Sequence, residues 1–267
     1  MLRTRILTAI VLCVVLFGAL LQPDPAWFGM VLGLMLVGAA WEWSGFLQLP
    51  GSAARASYVL LVLVGWAATR KYLWSPANFR LLLYFALAWW AVALVWVLRA
   101  PARVGPSLAA LAGLCVLVPS VSALLYVISN WESGLQAVLL ILGVAASMDV
   151  GGFIGGRVFG RHKLAPRVSP GKTWEGLYGG LLLVFVLALV LSYFLPYARW
   201  PFISLALVSG AFSVVGDLTE SLLKRANGLK DSGRLLPGHG GMLDRIDSVT
   251  AAAPVMTLSL IWLGAGA

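Results

Sequence analysis

Residues 201–225 read PFISLALVSGAFSVVGDLTESLLKR. The stretch opens as an apolar run and closes on charge. Asp217, Glu220, Ser221 and Lys224 stand at i, i+3, i+4 and i+7, so on a helix they share one face. Ionisable groups at bilayer depth each cost about a few kcal/mol or more, and such groups face a cavity and serve a pathway or a site. The competing reading is a surface pair, because Glu220 and Lys224 have the i,i+4 spacing at which opposite charges neutralise each other. Asp217 lies deeper in the run and is not explained that way.

The rest of the chain has the same character. It has 267 residues, 61% hydrophobic and 11% charged, with a mean hydropathy of +0.93. Apolar runs match the roughly 20 residues a helix needs to cross a bilayer, and strand-like alternation is absent. Spanning backbone must be hydrogen-bonded internally, so the expected fold is all-α, a polytopic membrane protein of about nine transmembrane helices. The spans fall at roughly 6–22, 26–47, 57–69, 81–98, 107–128, 134–156, 176–196, 201–222 and 249–266, the third being short. The N-terminal run imitates a signal peptide, but no small-x-small cleavage site follows it, so it is read as the first span. Arg3, Arg5, Arg55, Arg99, Arg103 and the segments 157–175 and 223–248 fall on one side, which the positive-inside rule makes cytoplasmic, N-terminus included. Arg70, Lys71 and Arg80 break that pattern.

The organisation is one membrane domain, 1–267, with no repeat and no linker. Residues 1–130 are mainly scaffolding, with Asp24 and Glu42 their only acids; residues 134–254 are the catalytic portion. Seven of the ten acids lie between Asp149 and Asp247, and ten of the nineteen basic residues lie in the two cytoplasmic segments. Cys13 and Cys115 sit far apart in apolar runs, without zinc or disulfide spacing. With only His162 and His239, a histidine-rich metal site is excluded. The net charge of +9 has no soluble domain to carry a nucleic-acid footprint, so anionic headgroups and phosphate-bearing substrates are the expected partners.

Three segments carry chemistry. Besides the eighth span, residues 238–248 (GHGGMLDRIDS) lead from a glycine-rich turn into Asp244 and Asp247, which point together if a helix begins there. With Asp217 they make an oxygen-rich set suited to Mg²⁺; read alone, the pair caps the ninth helix and favours its dipole. Lys224, Arg225, Lys230, Arg234 and Arg245 favour the first reading, since metal plus cations neutralises a polyphosphate. In the third segment, Asp149 is buried late in the sixth span and can reach the same cavity. The small-xxx-small pairs Gly151/Gly155 and Gly152/Gly156 indicate close helix packing and permit a homodimer. Gly171-Lys172-Thr173 is not a P-loop: Pro166 stands where a glycine is required, and no strand is expected before it. Lys172 and Ser169 are read either as phosphate contacts or as solvated loop residues, and His239 either as a turn residue or as a phosphate contact.

From Ser221 to Asp247 the order S-x-L-K-R-x4-K-D-x-G-x2-L-P-x-H-G-G-x2-D-R-x-D resembles the signature of the phosphatidate cytidylyltransferases, or CDP-diacylglycerol synthases. RHKLAPRVSPGKTWEG and GDLTES also resemble family segments, so the likeness covers roughly residues 149–254, with weaker support from WEW at Trp41–Trp43. Where the family often has Ala-Tyr after the aspartate, this chain has Gly152-Phe153, which removes a tyrosine hydroxyl. The resemblance implies transfer of the cytidylyl group of CTP to phosphatidic acid, giving CDP-diacylglycerol and pyrophosphate, with Mg²⁺ as cofactor and the number of metal ions open. A bacterial inner membrane suits a compact chain without organelle targeting, and the positive-inside rule turns the site to the cytoplasm. On that reading Asp217, Asp244 and Asp247 are metal ligands and, with Lys224, catalytic. Ser169, Lys172, Ser221, Arg225, Lys230, His239 and Arg245 bind phosphate, with Asp149 and Glu220 as additional candidates. A transporter is disfavoured because the chemistry is confined to one half of the chain, and a CDP-alcohol phosphotransferase because its D-x2-D-G-x2-A-R motif is absent.

Overall fold

The computed structural model describes residues 2–100, 103–233, 235–238 and 240–266, and for residues 2–6 the backbone only. His239 and Arg234 therefore lie outside the described residues. Nine α-helices are described: α1 Leu2–Leu20, α2 Pro25–Trp43, α3 Gly51–Tyr72, α4 Pro76–Arg99, α5 Pro106–Asn130, α6 Gly134–Phe159, α7 Trp174–Leu191, α8 Arg199–Ala226 and α9 Leu243–Trp262. A 3₁₀ turn, Ser44–Leu47, follows α2, and a two-stranded antiparallel hairpin, β1 Lys163–Ala165 and β2 Ser169–Thr173, joins α6 to α7. Among the described residues, seven helices, α2 to α8, are long and apolar enough to cross a membrane. The chain is an all-α polytopic membrane protein.

The first and ninth expected spans fall outside those seven. Helix α1, Leu2–Leu20, covers the first expected span, and its side chains are described from Leu7 on. Every residue of α9 from Thr250 to Leu260 is buried. A helix enclosed by protein has no lipid face to satisfy, so it can carry Ser248, Thr250, Thr257 and Ser259 among its apolar residues. Pro254 within α9 has no N–H to give the Thr250 carbonyl four residues back. The Ser120 hydroxyl of α5 donates to that oxygen, which keeps the backbone satisfied where water is absent. The third helix runs 22 residues rather than the short span expected, because its first turns, polar at Ser52, Arg55 and Ser57, are helical too. Arg55 donates from Nη2 to the Trp41 carbonyl and from Nε to Ser44, which seats that polar turn against the end of α2.

Close packing of α6 on α7 rests on glycine. A Cβ at Gly151 would stand 2.5 Å from the Gly179 carbonyl oxygen, and one at Gly179 would stand 2.6 Å from the Gly151 carbonyl oxygen. The small-residue face read from the sequence is thus used inside the chain, against α7. At the far end of this seam Thr173 caps α7, its hydroxyl accepting from the Gly176 N–H at 3.1 Å. The hairpin is a correction to the sequence reading, which expected no strand here. Strands of three and five residues show no usable alternation. Lys172 sits within β2 rather than in a phosphate-cradling loop, so exclusion of a P-loop stands.

Candidate active site

The C-terminal ends of α6 and α8, the N-terminal ends of α7 and α9 and the hairpin enclose a cavity of about 570 Å³. Four carboxylates from three helices line it: Asp149 on α6, Asp217 on α8, Asp244 and Asp247 on α9. Among the described residues, the cations in its wall are Arg157, Lys172 and Arg245. Helix α9 begins at Leu243, six residues before the expected span, so Asp244 and Asp247 occupy its first turns and share a face at i, i+3, as the spacing required.

The carboxylates differ in what holds them. Lys172 Nζ lies 2.6 Å from Asp217 Oδ2, and the Ser221 hydroxyl donates to Asp217 Oδ1 at 3.3 Å. Asp149 accepts from the Ser248 hydroxyl at 2.9 Å. Asp247 accepts from the Ser248 N–H at 2.7 Å and lies within electrostatic reach of Asp217, Asp149 and Lys172. Asp244 is the most engaged. Its Oδ1 takes Lys224 Nζ at 2.8 Å, and its Oδ2 takes the Gly241 N–H at 2.8 Å and the Ser232 N–H at 3.2 Å. Lys224 also lies 3.1 Å from Glu220 Oε1.

Glu220 is 2% exposed and turns away from the main cavity, into a niche beside Trp43 and Trp90. Its i,i+4 pairing with Lys224 exists, but in the interior rather than at the membrane surface. Arg225 is exposed, donating from Nη1 to the Leu229 carbonyl at 3.3 Å, and Lys230 is exposed on the segment beyond α8. Ser169, at the start of β2, pairs with Ala165 across the hairpin and does not line the cavity. Of the residues expected to touch phosphate, the structure brings Lys172 and Arg245 into the cavity wall, with Ser221 and Lys224 one contact behind.

Among the described residues, no three His, Cys, Asp or Glu side chains are grouped closely enough to hold a metal ion by themselves. The expected trio of Asp217, Asp244 and Asp247 faces one cavity but is not a ready-made cage, because lysines already pair with two of its members. The donor set still fits Mg²⁺. It is all oxygen, and Mg²⁺ takes one or two carboxylates and completes its shell with water and substrate phosphates.

Two residues escaped the sequence reading. Arg157, in the last turn of α6, lines the cavity; its signal was a cation eight residues after Asp149. Glu42 falls in the stretch that the sequence reads as scaffolding. It is 2% exposed, and its Oε2 accepts from the Ser232 hydroxyl at 3.2 Å and from the Leu243 N–H at 2.9 Å. A lone acid in an apolar run was the signal.

The model of the cytidylyltransferase family matches residues 3–262. The chain is 37% identical to a phosphatidate cytidylyltransferase of Haemophilus influenzae, over 95% of this chain and 96% of that one. It is 38% identical to one of Pseudomonas aeruginosa, over 98% and 97%. One from Staphylococcus saprophyticus is 41% identical over 51% of this chain and 54% of its own. With the match running from the first helix to the last, through every residue that lines the cavity, this chain belongs to the cytidylyltransferase family.

Proposed function

We propose that the cavity walled by Asp149, Asp217, Asp244 and Asp247 is where this enzyme joins the cytidylyl group of CTP to phosphatidic acid. A phosphate oxygen of the lipid forms a bond to the α-phosphorus of CTP, the bond from that phosphorus to the bridging oxygen breaks, and pyrophosphate leaves. The product is CDP-diacylglycerol. The lipid phosphate is already ionised near neutral pH, so no strong base is needed. Positioning and charge neutralisation supply the rate, as in phosphoryl transfer generally.

The chain's cations are placed for that work. Lys172 and Arg245 reach the cavity from opposite elements, β2 and α9, and Arg157 from a third. Lys172 can move from Asp217 to a phosphate oxygen, while Ser221 keeps its hydrogen bond to the aspartate. Lys224 neutralises Asp244 and Glu220 together and keeps the first turn of α9 in place. Asp217, Asp244 and Asp247 would hold Mg²⁺, which supplies charge neutralisation for the triphosphate and the leaving pyrophosphate.

Arg245 does a second thing. It also stands at an apolar groove of about 330 Å³ lined by Leu16 of α1, Leu32 of α2, Val121 of α5 and Val249 of α9. A cation shared by a polar cavity and an apolar groove suits a lipid whose phosphate reacts in the first and whose acyl chain lies in the second. By the basic residues on this end of the helices, the site faces the cytoplasm.

The observation that carries the reading is the convergence of four carboxylates and three cations from α6, β2, α8 and α9 on one cavity. The test is transfer of label from α-phosphate-labelled CTP into the organic phase by purified protein given phosphatidic acid and Mg²⁺. Folded protein that makes no lipid-linked product sinks the reading.

A further inference from the structure

We propose that Glu42, in the half of the chain that gives no described residue to the polar cavity, is a positioning residue for cytidylyl transfer, capping α9 from a different helix and thereby fixing Asp244, Arg245 and Asp247. The inference rests on the function proposed above. A helix leaves its first N–H groups without intrahelical partners. Helix α9 starts at Leu243, and its own N-cap residue, Met242, makes no side-chain capping bond. Glu42, 201 positions earlier at the end of α2, supplies the acceptor instead, through Oε2 to the Leu243 N–H. A carboxylate there also sits favourably at the positive end of the helix dipole.

The same oxygen holds the other end of the segment that leads into α9, through the Ser232 hydroxyl. Ser232 is shared: its N–H goes to Asp244 and its hydroxyl to Glu42. The two carboxylates thus hold the segment at its ends, Ser232 and Leu243, and two glycines leave room for Glu42. A Cβ at Gly233 would stand 2.3 Å from Glu42 Oε1, and one at Gly241 would stand 2.4 Å from Glu42 Oε2. Both glycines have space for hydrogen only on the side where the carboxylate lies. Glu42 touches nothing in the cavity, so it acts through Leu243 and Ser232 on Asp244 next to them.

The experiment compares Glu42→Ala and Glu42→Gln with the unaltered protein, each normalised to folded enzyme. Two readouts are used: steady-state kinetics with CTP and phosphatidic acid, and hydrogen exchange of residues 232–247 without substrate. Glu42→Ala is expected to lose about 100-fold in kcat, the scale of an ångström-sized misplacement at a reacting centre, with KM for CTP changing far less, and to exchange faster at Leu243 and Ser232. Glu42→Gln keeps an acceptor oxygen of the same reach and is expected to recover most of both. An alanine variant with normal kcat and normal protection overturns the proposal. So does one that loses only yield of folded protein, because a merely structural residue would leave turnover per folded molecule intact. If the unaltered protein makes no lipid product, the functional reading fails, while the exchange comparison still decides whether Glu42 caps α9.

Discussion

Gly151→Ala tests whether the glycine seam of α6 and α7 sets the site. The added methyl carbon would stand 2.5 Å from the Gly179 carbonyl oxygen, against the 3.4 Å at which ordinary contact begins. Its other neighbours are backbone too, Gly180 Cα at 2.9 Å among them. No side chain can swing aside, so the helices must part by about 0.9 Å, the difference between those two distances. Overpacking of this kind costs about 1–3 kcal/mol. Asp149 lies two residues before Gly151 and the hairpin bearing Lys172 hangs from these two helices, so the shift reaches the 2.6 Å contact between Lys172 and Asp217. Loss of turnover should be on the order of 100-fold. Gly143→Ala is the control: on the same helix, its Cβ meets Leu187 Cδ2 at an ordinary 3.6 Å. Thermal unfolding in detergent and the lipid-labelling assay are run on both. The reasoning is refuted if Gly151→Ala melts and turns over like the unaltered protein, or if Gly143→Ala is equally damaged.

Asp247→Asn keeps the side-chain shape and the acceptor for the Ser248 N–H but removes a charge facing the cavity, so turnover should fall at least about 100-fold with little change in melting temperature; ordinary activity would mean the metal is held elsewhere. Removing divalent ions with a chelator should abolish label transfer, and Mg²⁺ should restore it without any change in folding, since no described cluster needs a metal to hold its shape; unfolding on chelation would contradict this. Cys13 lines the apolar groove and is exposed, whereas Cys115 is buried. A maleimide should therefore label Cys13 first, and phosphatidic acid should slow that labelling more than a neutral diacylglycerol does; equal protection by both would argue against Arg245 as the anchor of the headgroup.

Much of the fold was legible because bilayer crossing imposes length and apolarity on a helix, and both are one-dimensional properties. Helices α2 to α8 follow the apolar runs closely. The exceptions have physical causes. Helix α9 is enclosed by protein and so need not be apolar all round, and the first turns of α3 are polar because Arg55 reaches back to Trp41 and Ser44. The hairpin is too short for periodicity to register. What could not be read was which helix faces meet. Asp217, Ser221, Lys224 and Glu220 share a face by spacing, yet Glu220 sits at its edge and turns toward Trp43 and Trp90.

The candidate site divides along the same line. Asp217, Lys172, Asp244, Arg245 and Asp247 were found because their segments concentrate charge in an apolar chain, and the cavity gathers them. Glu42 was missed because charge density is a local measure, and its partners, Ser232 and Leu243, lie 190 and 201 positions away. Its burial gives the argument that density does not. A carboxylate 2% exposed costs free energy unless its oxygens accept hydrogen bonds, so any acid found alone in a spanning run demands donors from elsewhere in the fold. Two of the donors that meet it here are the Leu243 N–H at the start of α9 and the Ser232 hydroxyl. The buried acid of α2 and the start of α9, which lacks a side-chain cap of its own, are therefore two sides of one requirement, and their meeting ties α2 to the residues that face the cavity.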